Sequence, residues 1–177
     1  MSIFIRPIQE KEDDAVYQMF QDIPAIQNEA TNHANGLSRI EFADFCKKMI
    51  ERSIASTNGR KEFSDGKVPQ TMYIIFDNDV PVGFGKFRPF LNKACIKNRA
   101  GHFAYMISPK HQGKGYATQF LSFFKEEAKK MGLQEIEGTA LENNLASCRV
   151  MEKNGGEVKE RIDNEVVYTI ALHTKAR

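Results

Sequence analysis

Three cysteines in 177 residues, Cys46, Cys95 and Cys148, are odd in number, far apart and without a C-x-x-C pair. That excludes a disulfide framework and a zinc knuckle, and points to reduced thiols in a cytoplasmic protein. No apolar run approaches membrane-spanning length, and the opening MSIFIRPIQEKEDD is too briefly apolar for a signal peptide. The expectation is a soluble intracellular chain with no membrane partner. Charge of one sign is not in excess either: 25 basic and 23 acidic residues leave a net +2, too weak a field to argue for nucleic acid. The basic residues Lys47, Lys48, Arg52, Arg60 and Lys61 read as a solvated helix face and loop. Repeats and low-complexity tracts are missing as well. With 41% hydrophobic and 27% charged residues, the composition suits one globular domain over residues 1–177.

What is present is a regular alternation of elements. Ser2 to Pro7 reads as a strand, and the acidic cluster Glu10, Glu12, Asp13, Asp14 opens a helix that carries Val16, Met19 and Phe20 inward before Pro24. Ala25 to Leu37 is expected as a surface loop. Ser38 is the expected N-cap of a second helix, with Phe42, Phe45, Cys46, Met49 and Ile50 on one face. Residues 56–69 have loop composition, and Gln70–Phe76 and Val80–Phe87 form a hairpin turning at Asp77 to Asp79. Residues 88–100 are expected as a long loop with one helical turn.

Gly101 to Ile107 is the next strand, closed by Pro109. After it, Ala117, Phe120, Leu121, Phe124, Ala128 and Met131 make a helical stripe that stops at Gly132. A strand at Glu135–Leu141, a helix at Asn144–Asn154 and a hairpin of Glu157–Ile162 with Val166–Leu172 complete the chain. The fold class is α/β (α+β): a mixed, mostly antiparallel central sheet with helices on both faces.

The stretch HQGKGYAT, residues 111–118, enters the most regular helix through two glycines. Such a turn gathers free backbone N–H groups at the positive end of the helix dipole, which suits an anion. Here again absences decide. A nucleotide P-loop needs Ser or Thr directly after the lysine, but Gly115 follows Lys114, and no glycine stands at the earlier offset. A dinucleotide fingerprint needs three glycines, and Thr118 stands where the third belongs.

Gln112, Gly115 and Ala117 instead fit Q/R-x-x-G-x-G/A, which resembles the acyl-CoA diphosphate loop of the GNAT acetyltransferase superfamily. Downstream, NNLASCRVMEKNGG is similar to that superfamily's second signature, one helix and one strand later. The fuller string, FRPFLN, GHFAYMISPKHQGKGYAT and NNLASCRVMEKNGG, resembles a branch of predicted bacterial acetyltransferases. The resemblance implies acetyl-CoA as co-substrate, no metal, and an amine acceptor on a small molecule or peptide. It implies a diphosphate cradle at Gln112, Gly113, Lys114, Gly115, Tyr116, Ala117 and Thr118. The pantetheine arm would meet the strand end at Tyr105, Met106 and Ile107, together with Asn144 and Ser147.

Acetyl transfer to an amine needs a neutral nucleophile, a donor for the oxygen that gains charge, and a proton for the leaving thiolate. The backbone N–H of Met106 or Ile107 is the family-like oxyanion donor. His102, Tyr105, Glu137 and Glu142 are the base candidates. Many relatives place a tyrosine acid in an L-Y-E-K pattern, where this chain reads V-M-E-K with Met151. Ser147, Cys148, Tyr168 or solvent then remain for that proton, or the thiolate leaves without help from the protein. The acceptor pocket is expected between the two N-terminal helices, residues 56–69 and the final hairpin. A non-catalytic acyl-CoA sensor of the same fold is the competing reading, and a monomer and a homodimer stand equally.

Overall fold

Apolar alternation in the sequence builds two larger antiparallel sheets that share a core, beside a small two-stranded one. The computed structural model describes residues 1–28, 30–57 and 62–173. Among these the order is β1 (Ile3–Pro7), α1 (Asp14–Asp22), β2 (Ile26–Gln27), β3 (Ala30–Thr31), α2 (Arg39–Thr57), β4 (Thr71–Asp77), β5 (Val80–Phe87) and α3 (Lys93–Lys97). Then follow β6 (Phe103–Ile107), α4 (Tyr116–Lys130), β7 (Glu135–Leu141), α5 (Leu145–Lys153), β8 (Gly156–Ile162) and β9 (Glu165–Ala171). Every element expected from the sequence is present, and the mixed α/β reading holds.

The β2–β3 pair was hidden in an expected loop, whereas α3 is the single helical turn expected within residues 88–100. The β2–β3 pair has two residues per strand, too few for periodicity to register. Helix α3 spans only five residues and is held by the Asn92 side chain, which accepts the Cys95 N–H at 2.9 Å. Helix α2 runs on through Thr57, into the stretch expected as loop, while residues 58–61 of that stretch lie outside the described residues. The N-cap at Ser38 forms as a capping box: its Oγ accepts the Glu41 N–H at 3.3 Å, and the Glu41 carboxylate accepts the Ser38 N–H at 2.8 Å. In the hairpin, Asn78 and Asp79 both take positive φ (47° and 65°), a geometry matched to the twist of the flanking strands. Asp77 stays within β4.

The strand order is β1-β4-β5-β6 in one sheet and β7-β9-β8 in the other. Helices α1 and α2 cover one face, burying Phe20, Phe42 and Cys46 against Ile74, Phe84 and Met106. Helix α4 covers the other, and its Phe120, Leu121 and Phe124 share one cluster with Ile75 and Phe103 of the first sheet and Ile136 and Ile170 of the second. Each such aromatic or Leu side chain contributes roughly 1.5–3 kcal/mol by leaving water. That shared cluster holds the sheets together without a ladder between them.

Directly, the two sheets meet at one end. The His102 N–H donates to Glu137 O at 2.8 Å, and the Glu137 N–H donates to His102 Nδ1 at 2.9 Å. Two glycines permit this approach. A Cβ on Gly101 would lie 2.4 Å from the Glu137 carbonyl oxygen, and one on Gly138 would lie 2.2 Å from the Phe103 ring. Past this junction β6 and β7 do not pair.

Two outcomes follow from the junction. Gly101→Ala should lower stability by about 1–3 kcal/mol in urea unfolding, because the backbone oxygen it meets cannot turn aside. Burial, acting more strongly than nearby Glu137, holds the His102 imidazole below its ordinary range. The unfolded chain therefore binds the proton first, and stability falls as pH drops below about 6.5 and on through the lower folded value. His102→Asn, which keeps an acceptor for the Glu137 N–H, should remove part of that fall; His33 and His111, also lowered by burial, leave the rest.

Candidate active site

The register of β6 decides which of its backbone groups are free. Ser108 N–H donates to Val82 O at 2.9 Å, and Phe84 stands opposite Met106. Alternation in an antiparallel ladder then turns the Met106 amide toward β5 and leaves the Tyr105 and Ile107 amides facing the gap. The Ile107 carbonyl is held from both sides, by Gln112 Nε2 at 3.2 Å and Gln27 Nε2 at 3.4 Å. Gln112 thus ties the glycine loop to the strand end.

That loop passes through a short 3-10 turn (Pro109–His111) and then two left-handed glycines, Gly113 at φ 75° and Gly115 at φ 85°. A side chain at either would be strained. A Cβ at either would nevertheless meet nothing within 4 Å, so the space before the loop is open. From Gly113 to Thr118, six successive backbone N–H groups have no partner among the described residues. No side chain caps α4. Together with the helix dipole, these donors make an electropositive concavity.

Tyr116 fixes the helix start from below. Its ring is buried and its hydroxyl donates to Asp77 Oδ2 at 2.6 Å, so its side chain faces the core while its N–H stays at the loop. Across the gap, Asn144 caps α5 by accepting the Ser147 N–H at 3.3 Å, and its Nδ2 donates to Ser147 Oγ at 3.1 Å. The cleft between loop, β6 and α5 has a volume of about 770 Å³. That is the size of a small-molecule site.

One polar group in this cleft is left over. The Tyr105 hydroxyl is buried beside Ser147 and makes no hydrogen bond of normal geometry among the described residues. Burial pushes the phenol up to about 12, with Ser147 opposing the shift. A proton held that firmly makes Tyr105 a donor and a poor base.

Of the residues singled out in the sequence, the cleft is lined by Tyr105, Ile107, Gln112, Gly113, Gly115, Tyr116, Ala117, Thr118, Asn144 and Ser147. Met106 and Lys114 do not line it, nor do His102 and Glu142. His102 is committed to the sheet junction, and Glu142 is an exposed partner of Arg161 at 2.9 Å. Glu137 pairs with Lys159 away from the cleft. Cys148 is buried, with its thiol directed at Leu141 O at 3.7 Å, and Tyr168 donates to Glu152 Oε1 at 3.1 Å. Neither reaches the cleft. Met151 lines it as a buried apolar wall.

Sequence reading missed Arg149 and Lys153, two cleft residues spaced four apart on α5 and without an acid partner among the described residues. Their i, i+4 spacing beside Asn144 was the available signal. It also missed Arg88, Arg99 and Glu165 at the other end of the cleft, where Arg99 and Glu165 pair with each other. No group of three His, Cys, Asp or Glu residues that could hold a metal occurs among the described residues.

A family profile described as "Acetyltransferase (GNAT) domain" matches residues 2–157. The chain belongs to the GNAT acetyltransferase family. Solved GNAT structures align with nearly all of it. yncA, a putative acetyltransferase from Salmonella typhimurium solved with acetyl-CoA, is 16% identical, with 100% of this chain and 98% of that one covered and a TM-score of 0.62. The PaiA N-acetyltransferase from Thermoplasma acidophilum, solved with coenzyme A, is 15% identical over 97% and 99% of the chains, with a TM-score of 0.61. A Salmonella typhimurium acetyl transferase that modifies the N-terminal serine of ribosomal protein L7/L12 is 17% identical over 96% and 94%, with a TM-score of 0.63. At these identities the likeness is one of fold. No curated protein sequence matches the chain.

The Tyr116 anchor is open to test. Tyr116→Phe leaves Asp77, whose Oδ1 already has no partner, without its remaining one. Stability should fall by about 1–3 kcal/mol in urea unfolding, and amide exchange should quicken in the first turn of α4.

Proposed function

We propose that the chain is an acetyl-CoA-dependent N-acetyltransferase acting on a primary amine of a small molecule or peptide. The observation that carries this reading is the row of six N–H groups at Gly113 to Thr118, unpartnered among the described residues and opening into a cleft at an unpaired strand edge. The residues present fit coenzyme A. The loop suits a diphosphate, Lys114, Arg149 and Lys153 add positive charge near it, and the free edge of β6 suits an extended amide-bearing arm. Bound there, acetyl-CoA supplies an activated acetyl group and a thiolate leaving group for a neutral amine.

The chain's own residues divide the remaining work. The Ile107 N–H, facing the gap where the Met106 N–H does not, donates to an oxygen gaining negative charge. Tyr105 holds its hydroxyl proton at neutral pH and offers it where relatives use a tyrosine at the position of Met151. Asn144 and Ser147 orient one another beside that hydroxyl. The amine's proton leaves to solvent, since neither His102 nor Glu142 reaches the cleft. Met151 is the feature that favours the second reading, a sensor that binds acyl-CoA without turnover.

Calorimetric titration with acetyl-CoA tests the cradle. Gly115→Ala, forcing a side chain into φ 85°, should weaken binding about tenfold or more. Thiol release over an amine panel separates enzyme from sensor, because binding without release on any amine supports the sensor. Tyr105→Phe should lower kcat by about 10²-fold while leaving acetyl-CoA affinity nearly unchanged.

A further inference from the structure

The cleft does not stop at the coenzyme side of the sheet. It continues past β6 to Ala104, Arg88 and the β2–β3 turn, on the face covered by α1 and α2. There the charges are one-sided. Phe84, Lys86 and Arg88 alternate onto this face of β5 and its continuation, with Ala104 opposite Lys86. Arg52 of α2 is close enough to act on both Lys86 and Arg88, and His33 after β3 feels Lys86, Lys67 and Arg52.

Among the described residues, no acid answers these cations. Asp65 is held by Lys67 at 2.9 Å and reaches Arg52 only at 3.9 Å. Glu165 is engaged by Arg99. Lys86 has no ion-pair or hydrogen-bond partner among the described residues, and Arg88 has one, donating from Nη1 to Gly101 O at 2.8 Å. The rest of its guanidinium fork is unspent. Burial, then Arg88 and Arg52, pull the Lys86 ammonium down to about 8. A fold that gathers half-buried like charges without a counter-charge loses stability by it, and the loss is recovered when an anion binds.

Resting on the acetyltransferase reading, we infer that this end of the cleft recognises the acceptor through an anionic group: the acceptor amine carries a carboxylate or phosphate that docks against Arg88, which lines the cleft, in the field of Lys86, which stands behind the lining opposite Ala104. The diphosphate cradle lies at the opposite end of the cleft, so coenzyme A does not satisfy these cations. A guanidinium fork with most of its donors free matches planar, two-oxygen anions. Arg52 does not line the cleft but adds its charge to the field at Lys86 and Arg88. Neutral and polycationic amines are disfavoured at such a site.

Thermal unfolding of the full chain with saturating coenzyme A, so that the loop is filled, provides the test. Inorganic phosphate and formate, each compared with chloride at equal ionic strength, are the probes. Either should raise the midpoint, and the rise should vanish in Lys86→Met and Arg88→Met while stabilisation by coenzyme A persists; the larger of the two responses distinguishes phosphate from carboxylate. Without any anion, Lys86→Met should melt about 2–4 °C higher than the parent, as relief of an unpaired charge requires and loss of a structural contact does not. With acetyl-CoA, amino acids should outrun their amides by tenfold or more in kcat/KM, or phosphorylated amines their dephospho forms, and Arg88→Met should erase the preference through KM. No midpoint shift beyond chloride, or a shift that survives both substitutions, overturns the inference even where no acceptor is turned over. Absence of stabilisation by coenzyme A would count against the acetyltransferase reading alone, and the same anion titration without coenzyme A would still decide this one.

Discussion

The pair of hydrogen bonds between His102 and Glu137 is the constraint on which the rest of the molecule turns. It closes β6 onto β7 at one end, through backbone on one side and an imidazole acceptor on the other. Gly101 and Gly138 are needed to let the chains come that close. Because the pairing stops there, the strands part beyond it, and the amides of Tyr105 and Ile107 are left facing open space. The cleft is the consequence of a seam that is sewn at one end only. The α4 cluster, spanning both sheets, keeps the open end from collapsing or drifting apart.

Electrostatics then divides the cleft along its length. Near α4 the positive character comes from backbone dipoles, which cannot be titrated or screened as easily as side chains and which suit a fixed diphosphate. On the α1 and α2 face it comes from side chains, Lys86 and Arg88 foremost, whose reach and charge are adjustable. A single strand, β6, separates the two regions, and the reacting atoms are expected at its end. On the proposed reading, two anion sites of different construction lie on either side of one backbone edge.

Much of this was legible in the chain itself. The helical stripe from Ala117 to Ala128, the stop at Gly132 and the hairpin through Asn78 and Asp79 are short-range signals, and the fold follows them. HQGKGYAT announced a glycine turn into a helix start, and the structure forms that turn with both glycines left-handed. What stayed hidden depends on register and on three-dimensional neighbours. His102 looked like a titratable base until its Nδ1 was found to be the acceptor of a sheet junction. Only the ladder could choose between the Met106 and Ile107 amides. Arg88 sat in a stretch with no periodicity, and Lys86 in a strand whose two faces are both covered, so neither stood out.

An unpaired strand edge is ordinarily a liability, since it offers its hydrogen-bonding groups to any extended chain in solution. Exposed edges are commonly protected with charges, prolines or bulges, and the free side of β6 is flanked by none of these within the strand FAYMI. The closed end supplies the protection instead. A strand from another molecule must lie along several residues to pair, and the junction at Gly101 and His102 shortens the free edge to the few residues beyond it. The seam that creates the opening also rations what may use it, so a protein can keep a permanently unfinished sheet in its middle and not recruit its neighbours to finish it.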